Sequence, residues 1–352
     1  MKMVAIGALM DGMIVAENVV VGGQTVINRG SMVNPPLRQK LVAMGLKGIN
    51  IMEPGDAPQT YYEKIRMSQE FNTFVNNYSG NLRAYKAAVD SFILNKVPFR
   101  LNDLKQIANY LVTDSMMGTT LFAYLYLHVP TQEELTYAHG LNVALICRIF
   151  ARWLKMTPEE ADTLVLCGFL YDIGKFMIPN EILWKPEKLN KMEFDLVKTH
   201  AYHGYHLLKN YSKNVNEHVL NATLQHHESM DGSGYPQGLV ANDIDNYAKI
   251  MSILDVYEAL TSARPYRHPK CPYAVVEIMM QDGYQRYDAG YLMLFLNKIV
   301  DELIGNRVRL SDGTEGEVVM NNKNYLSRPI VSCQGRVVDL SKERNLSIVE
   351  IV

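Results

Sequence analysis

The chain has 352 residues, 48% of them hydrophobic, with 35 Lys and Arg against 37 Asp and Glu for a formal net charge of −2. That length allows two or three domains and that composition buries a sizeable core. The near-neutral charge excludes the broad basic face that polymeric nucleic acid requires, while a small anionic ligand needs only a few local Arg and Lys residues.

Asp11 interrupts the apolar N-terminal run, no small-residue cleavage site follows, and no stretch approaches the roughly 18 apolar residues of a membrane span. Neither a signal peptide nor a transmembrane helix is expected, and the chain reads most simply as cytoplasmic. Cys147, Cys167, Cys271 and Cys333 form no CxxC pair, and the first two sit in apolar runs. That usage suits buried thiols in a reducing compartment better than a disulfide scaffold.

Residues 1–58 are rich in Val, Ile and Gly, with hairpin punctuation at Gly22-Gly23 and Arg29-Gly30. A helix is expected in PLRQKLVAMG, closed by Gly45, and Pro54 to Pro58 reads as a linker. The expectation is a small β-rich domain carrying one helix. Residues 59–128 look helical and hold no catalytic constellation, offering either a helical linker or subdomain or the surface of a homodimer. From about 129 to 304 helix follows helix. Thr131 with Glu134, and Thr157 with Pro158 and Glu160, each fit a capping box. Residues 305–352 return to alternating apolar residues with a DG turn, a small β-rich C-terminal domain. The fold class is mainly α, a helical domain flanked by small β-rich ones.

Within the helical region, acids and histidines fall on the apolar stripes. Leu135, His139, Val143, Ile146 and Phe150 share one face, and Ala161, Leu164 and Gly168 lead to Tyr171 and Asp172, where Gly174 is expected to end the helix. His200 and His203 share a stripe with Leu196 and Leu207. Val219 and Ala222 lead to His226, with His227 beside it, and Ala248, Met251, Asp255 and Glu258 share a face. A single inward histidine is most often a satisfied core residue. This many buried imidazoles and carboxylates need a common partner, because burying each without compensation is costly. A divalent metal centre with mixed nitrogen and oxygen ligands, suited to Fe, Mn, Zn, Co or Ni, satisfies them together.

The run YDIGKFMIPNEILWKPEKL, then His200, HHESMDGSGYPQGL and DVYEALTSARPYR resembles the HD-GYP family, a branch of the HD phosphohydrolases known for cleaving the bacterial second messenger cyclic di-GMP. The resemblance covers about half of the chain, residues 129–304, and its HHE…DGSGYP segment is the most specific part. It implies one or two ions, with Fe or Mn favoured. His139 and Asp255 match ligands of the first ion, Asp172 the shared carboxylate, and His200, His226 and His227 the ligands of the second. Lys175 matches the lysine placed against a phosphate or the attacking hydroxide, with Asp172 as the catalytic aspartate beside it. Gly234, Tyr235 and Pro236 form the GYP loop, and Arg264 and Arg267 fall where the family meets a cyclic dinucleotide, with Tyr235 either stacking on a guanine or packing.

Two departures stand out. The name-giving histidine is Tyr171, whose phenol suits a hard oxidised metal and is a poor substitute for imidazole on Fe(II) or Mn(II). Leu135 occupies the place of a glutamate that holds a third ion in some members. His203 and His206 match no ligand and read as surface or outer residues, His218 as exposed, and Asp231 as a turn residue. The leading expectation is a phosphodiesterase acting on cyclic di-GMP. The alternative is an impaired relative that binds a cyclic dinucleotide, or docks a partner such as a diguanylate-cyclase-type signalling protein on its GYP loop.

Overall fold

The computed structural model describes residues 1–22, 24–53, 56, 60–185, 187–262 and 269–352. The N-terminal portion comprises β1 (Lys2–Ala5), β2 (Val19–Val21), β3 (Gln24–Ile27), α1 (Pro35–Ala43) and β4 (Gly48–Ile51). Strands β1 and β4 pair antiparallel, as do β2 and β3 across the expected turn, where Gly22 has φ +59° and Gly23 lies outside the described residues. Asn34 caps α1 by accepting the Leu37 amide at 2.9 Å, and Pro35 opens its first turn, where a missing N–H costs nothing. Gly45 follows the helix at φ +68°, as its C-terminal position requires. Ile6, Leu9, Val15, Leu41, Ile49 and Ile51 close a core of their own. Of the expected linker, only Asp56 lies among the described residues.

Helices α2 (Tyr61–Met67), α3 (Gln69–Asn95), α4 (Leu101–Leu111) and α5 (Gly118–Leu127) follow. Along α3, Phe71, Phe74, Tyr78, Leu82, Tyr85, Val89 and Phe92 recur at three- and four-residue steps, and this face is the buried one. Next come α6 (Leu135–Trp153) and α7 (Pro158–Leu170). Both expected capping boxes form, with Glu134 and Glu160 accepting the Thr131 and Thr157 amides at 3.1 and 2.8 Å. Helix α6 is apolar on nearly every side and is buried accordingly. It lies close against α7 because position 168 is glycine, where a Cβ would stand 2.5 Å from the Ala144 backbone.

The series continues with α8 (Asn180–Leu183), α9 (Lys191–Lys198), α10 (His200–Tyr211), α11 (Glu217–Gln225), α12 (Asn246–Thr261), α13 (Pro272–Arg286) and α14 (Ala289–Asp301). The C-terminal strands β5 (Arg307–Leu310), β6 (Glu315–Met320), β7 (Ile330–Cys333), β8 (Arg336–Asp339) and β9 (Ile348–Ile351) form one antiparallel sheet in the order β8-β7-β6-β5-β9. The DG turn expected there lies between β5 and β6, with Gly313 at φ +87°. One continuous apolar core runs from Phe71 on α3 to Ile351 on β9, so the helices and this sheet pack as one body. All four cysteines are buried thiols. No helix among the described residues is long and apolar enough to cross a membrane.

Candidate metal centre

Asp172, His200, His226 and His227 come from helix ends, while His139 and Asp255 come from within α6 and α12. Helix α7 stops at Leu170, before the glycine expected to end it, and Asp172 leads into a short 3₁₀ turn, Ile173–Met177. Gly174 instead permits a close approach, since a Cβ there would lie 1.9 Å from the carbonyl oxygen of His200. The bare glycine lets the turn press onto the first residue of α10 and so brings Asp172 beside His200. His226 and His227 leave the end of α11, while Asp255 and Glu258 sit one turn apart on α12, facing His139 on α6.

In one half of the site, lone pairs converge. Nδ1 of His200 lies 2.6 Å from the Val197 carbonyl, and Nδ1 of His226 lies 3.1 and 3.0 Å from those of Ala222 and Thr223. A carbonyl oxygen only accepts, so each Nδ1 carries a hydrogen, and in the neutral ring Nε2 then presents a lone pair. Those two Nε2 atoms are 3.2 Å apart, and Oδ1 of Asp172 stands 3.4 and 3.6 Å from them. That oxygen is buried and has no hydrogen-bond partner among the described residues. The ligand atoms of His200, His226 and His227 all lie within 4.8 Å of one another. Burial pushes the His200 ring down to about 4 and the His227 ring well below the usual histidine range, so both are neutral at neutral pH. Burial opposes the Asp172 charge, but the Lys175 ammonium beside it holds the carboxyl well below its usual range. Two lone pairs aimed at each other beside an unpartnered carboxylate oxygen are repulsive without a cation, and this donor set fits a divalent transition metal.

The other half is closed by hydrogen bonds. The ligand atoms of His139, Asp172 and Asp255 also lie within 4.8 Å of one another, so distance alone allows an ion. The chemistry differs, because a carboxylate faces each ring nitrogen of His139. Nδ1 meets Glu258, and Nε2 lies 2.8 Å from Oδ1 of Asp255. Burial works against charge on that ring, yet Glu258 and Asp255 outweigh it and raise the imidazole to about 9. The Tyr171 hydroxyl sits 2.6 Å from the same Nε2 and donates to Asp255 at 2.8 Å. Burial first, then the surrounding carboxylates, hold this phenol well above its usual range.

Behind Glu258 stand residues that the inward stripes did not single out for a role. Asn142 donates to its carboxylate at 2.7 Å and accepts from Tyr78 of α3 at 2.6 Å. Glu228, third in the HHE run, is buried and accepts the Gln237 and Leu239 amides at 2.6 and 3.0 Å, holding the loop that contains Gly234, Tyr235 and Pro236. Its place directly after the two ligand-type histidines was the available signal. A Cβ at Gly234 would lie 2.4 Å from the Ser229 amide nitrogen, so the loop folds tightly over that segment. The Tyr235–Pro236 bond is cis. Tyr235 stacks on His227 with centroids 4.7 Å apart, packing against the donors.

Lys175 donates to Oδ2 of Asp172 and lines a cleft with His139, Asn142 and Trp184. Asp231 is the turn residue it was read as, accepting from Ser233 at 2.9 and 2.6 Å. His218 is exposed and pairs with Asp245 at 2.7 Å. The inward placement of His203 needs correcting. The buried stripe of α10 runs His200, Ala201, Gly204, Leu207 and Leu208, which turns His203 and His206 to solvent. Arg264 and Arg267 lie outside the described residues.

Residues 93–290 match the HD domain family. Over 204 residues the chain is 33% identical to the cyclic di-GMP phosphodiesterase PA4108 of Pseudomonas aeruginosa, covering 58% of this chain and 49% of that protein. It is 38% identical over 155 residues to 3'3'-cGAMP-specific phosphodiesterase 1 of Vibrio cholerae, covering 44% and 35%. It is 34% identical over 166 residues to the cyclic di-GMP phosphodiesterase response regulator RpfG of Xanthomonas campestris, covering 47% and 42%. The chain thus spans half or less of the length of these curated relatives. With its family match covering more than half of the sequence, and histidines and aspartates gathered into two candidate ligand groups within that match, the chain belongs to the HD domain family.

Proposed function

We propose that the chain is a metal-dependent phosphodiesterase that hydrolyses cyclic di-GMP or a related cyclic dinucleotide. The observation that carries this reading is the unpartnered Oδ1 of Asp172 facing the Nε2 lone pairs of His200 and His226, with Lys175 on the other carboxylate oxygen. Asp172, His200, His226 and His227 would hold a divalent ion, Fe or Mn in preference to Zn, Ni or Co. When bound, such an ion supplies Lewis-acid charge to the phosphoryl oxygens and makes water acidic enough to attack near neutral pH.

The chain's own residues do the rest. Lys175 places an ammonium beside the scissile phosphate, countering charge as it develops. Glu228 fixes the loop that sets Tyr235 over His227, giving one wall against which a base can lie. On the family resemblance alone, Arg264 and Arg267 take the dinucleotide phosphates, for which a guanidinium fork is suited. The catalytic domain is assigned to residues 129–304, with 1–58, 59–128 and 305–352 as flanking units.

The test is anaerobic loading of the protein with Fe(II) or Mn(II), followed by chromatography of cyclic di-GMP and 3'3'-cGAMP digests, with Asp172→Ala as control. Turnover by the native chain and not by the control is expected. A second reading, favoured by the Tyr171 hydroxyl in contact with both His139 and Asp255, is a binder that signals without turnover, through the dinucleotide itself or a partner protein on the GYP loop. Intact substrate over long incubation, together with calorimetric binding of the dinucleotide, selects that reading.

A further inference from the structure

We propose that the Tyr171 hydroxyl takes the space of one of the two ions, so that the chain holds a single ion, bound by His200, His226, His227 and Asp172. This rests on the metal centre proposed above and fixes its stoichiometry. An ion shared by His139 and Asp255 would stand about 2.0–2.2 Å from a nitrogen of one and an oxygen of the other. The hydroxyl oxygen already lies 2.6 Å from Nε2 of His139 and 2.8 Å from Oδ1 of Asp255, which are themselves 2.8 Å apart, so it closes a triangle on one side of the pair and fills the side from which such an ion would bridge them. Tyr171 is fully buried and packs edge-on against His226 with centroids 4.9 Å apart, so its ring cannot swing aside without opening a large cavity.

The two halves of the site also differ in what they lack. Around His139 the acids are already served by hydrogens. Asp255 accepts from Tyr171, and Glu258 accepts from Asn142 at 2.7 Å and from Ser262, with Nδ1 of His139 against its second oxygen. Oδ2 of Asp172 accepts from Lys175. Around His200 and His226 the two Nε2 atoms stand 3.2 Å apart, and Oδ1 of Asp172, without a hydrogen-bond partner among the described residues, lies 3.4 and 3.6 Å from them. Asp172 is therefore split, one oxygen serving the ion and the other the lysine. His139, Asp255 and Glu258 become a hydrogen-bonded cluster that positions the residues around the ion.

The experiment loads the full chain with Mn(II), removes unbound metal by gel filtration, counts ions by mass spectrometry and records the electron paramagnetic resonance spectrum. One ion per chain with the six-line signal of isolated Mn(II) is expected, rising in Tyr171→His to two ions with a spin-coupled signal. His139→Gln should keep its ion and His226→Gln should lose it. Two ions in the native chain, loss of the ion in His139→Gln, or a single ion in Tyr171→His overturns the proposal while leaving a metal centre in place. No ion in the native chain overturns it together with the centre on which it rests. Should Tyr171→His fail to fold, the native count and the two histidine variants decide.

Discussion

Asn142 on α6 donates its side-chain amide to Glu258 on α12 at 2.7 Å, and its amide oxygen takes the hydroxyl of Tyr78 on α3 at 2.6 Å. Three helices are thereby joined by one buried polar side chain behind His139. Asn142→Leu leaves the Tyr78 hydroxyl only its long 3.5 Å contact to the Ala138 carbonyl and takes one donor from Glu258, an expected loss of about 1–3 kcal/mol in unfolding free energy. Once the asparagine is gone, Tyr78→Phe removes only the weaker contact to the Ala138 carbonyl. A double-mutant cycle by urea denaturation should therefore show clear non-additivity, and strict additivity would mean that the two bonds are independent.

Glu228 is a loop fastener. Glu228→Gln keeps the shape but turns an NH₂ group toward one of the two backbone amides that the carboxylate now accepts. Faster hydrogen exchange at Gln237 and Leu239 is expected, with exchange in α3 unchanged. Unchanged protection at both amides would remove Glu228 from its assigned place.

Glu302 gives a pH signature. Burial pushes its carboxyl up to about 7, and Oε2 has no hydrogen-bond partner among the described residues. The folded value lies above the unfolded one, so the contribution to stability is fully present below about 4.5 and is lost as pH rises through about 7. Glu302→Gln mimics the neutral acid. Its Tm should exceed that of the native chain by a wider margin at pH 8 than at pH 5, and equal margins would show that the carboxyl titrates normally.

Lys175→Met should lower turnover of the cyclic dinucleotide by about 10²-fold or more, the size expected when one charge-stabilising donor is removed. Its metal content should stay that of the native chain, because Lys175 is no ligand. A variant that loses its ion would recast the lysine as a support for Asp172 alone.

The mainly α class, the capping boxes, the C-terminal β-strands and the family were legible from periodicity and motif. His139, Asp255 and Glu258 face inward as expected because they lie inside long helices, where the apolar stripe fixes which face is inward. His203 did not, because α10 begins only at His200 and so short a stretch leaves the helical phase open. Gly174 was read as a local stop, yet what requires it is contact with the distant His200 carbonyl, which no local pattern carries. The parts played by Asn142 and Tyr78 were likewise hidden, since both depend on partners brought near by the packing of α3, α6 and α12.

The N-terminal strands and α1 close a small core of their own, while everything from Phe71 to Ile351 shares another. Cooperativity follows shared buried contact, so the protein should melt in two calorimetric steps rather than one. Arg29 is a tie across the boundary, its guanidinium reaching the buried Glu63 on α2 at 3.1 Å and its carbonyl accepting from Arg66 at 3.1 Å, while among the described residues the two units share no apolar core. The front unit can thus loosen, or be exchanged for another, without the larger body giving up its own fold.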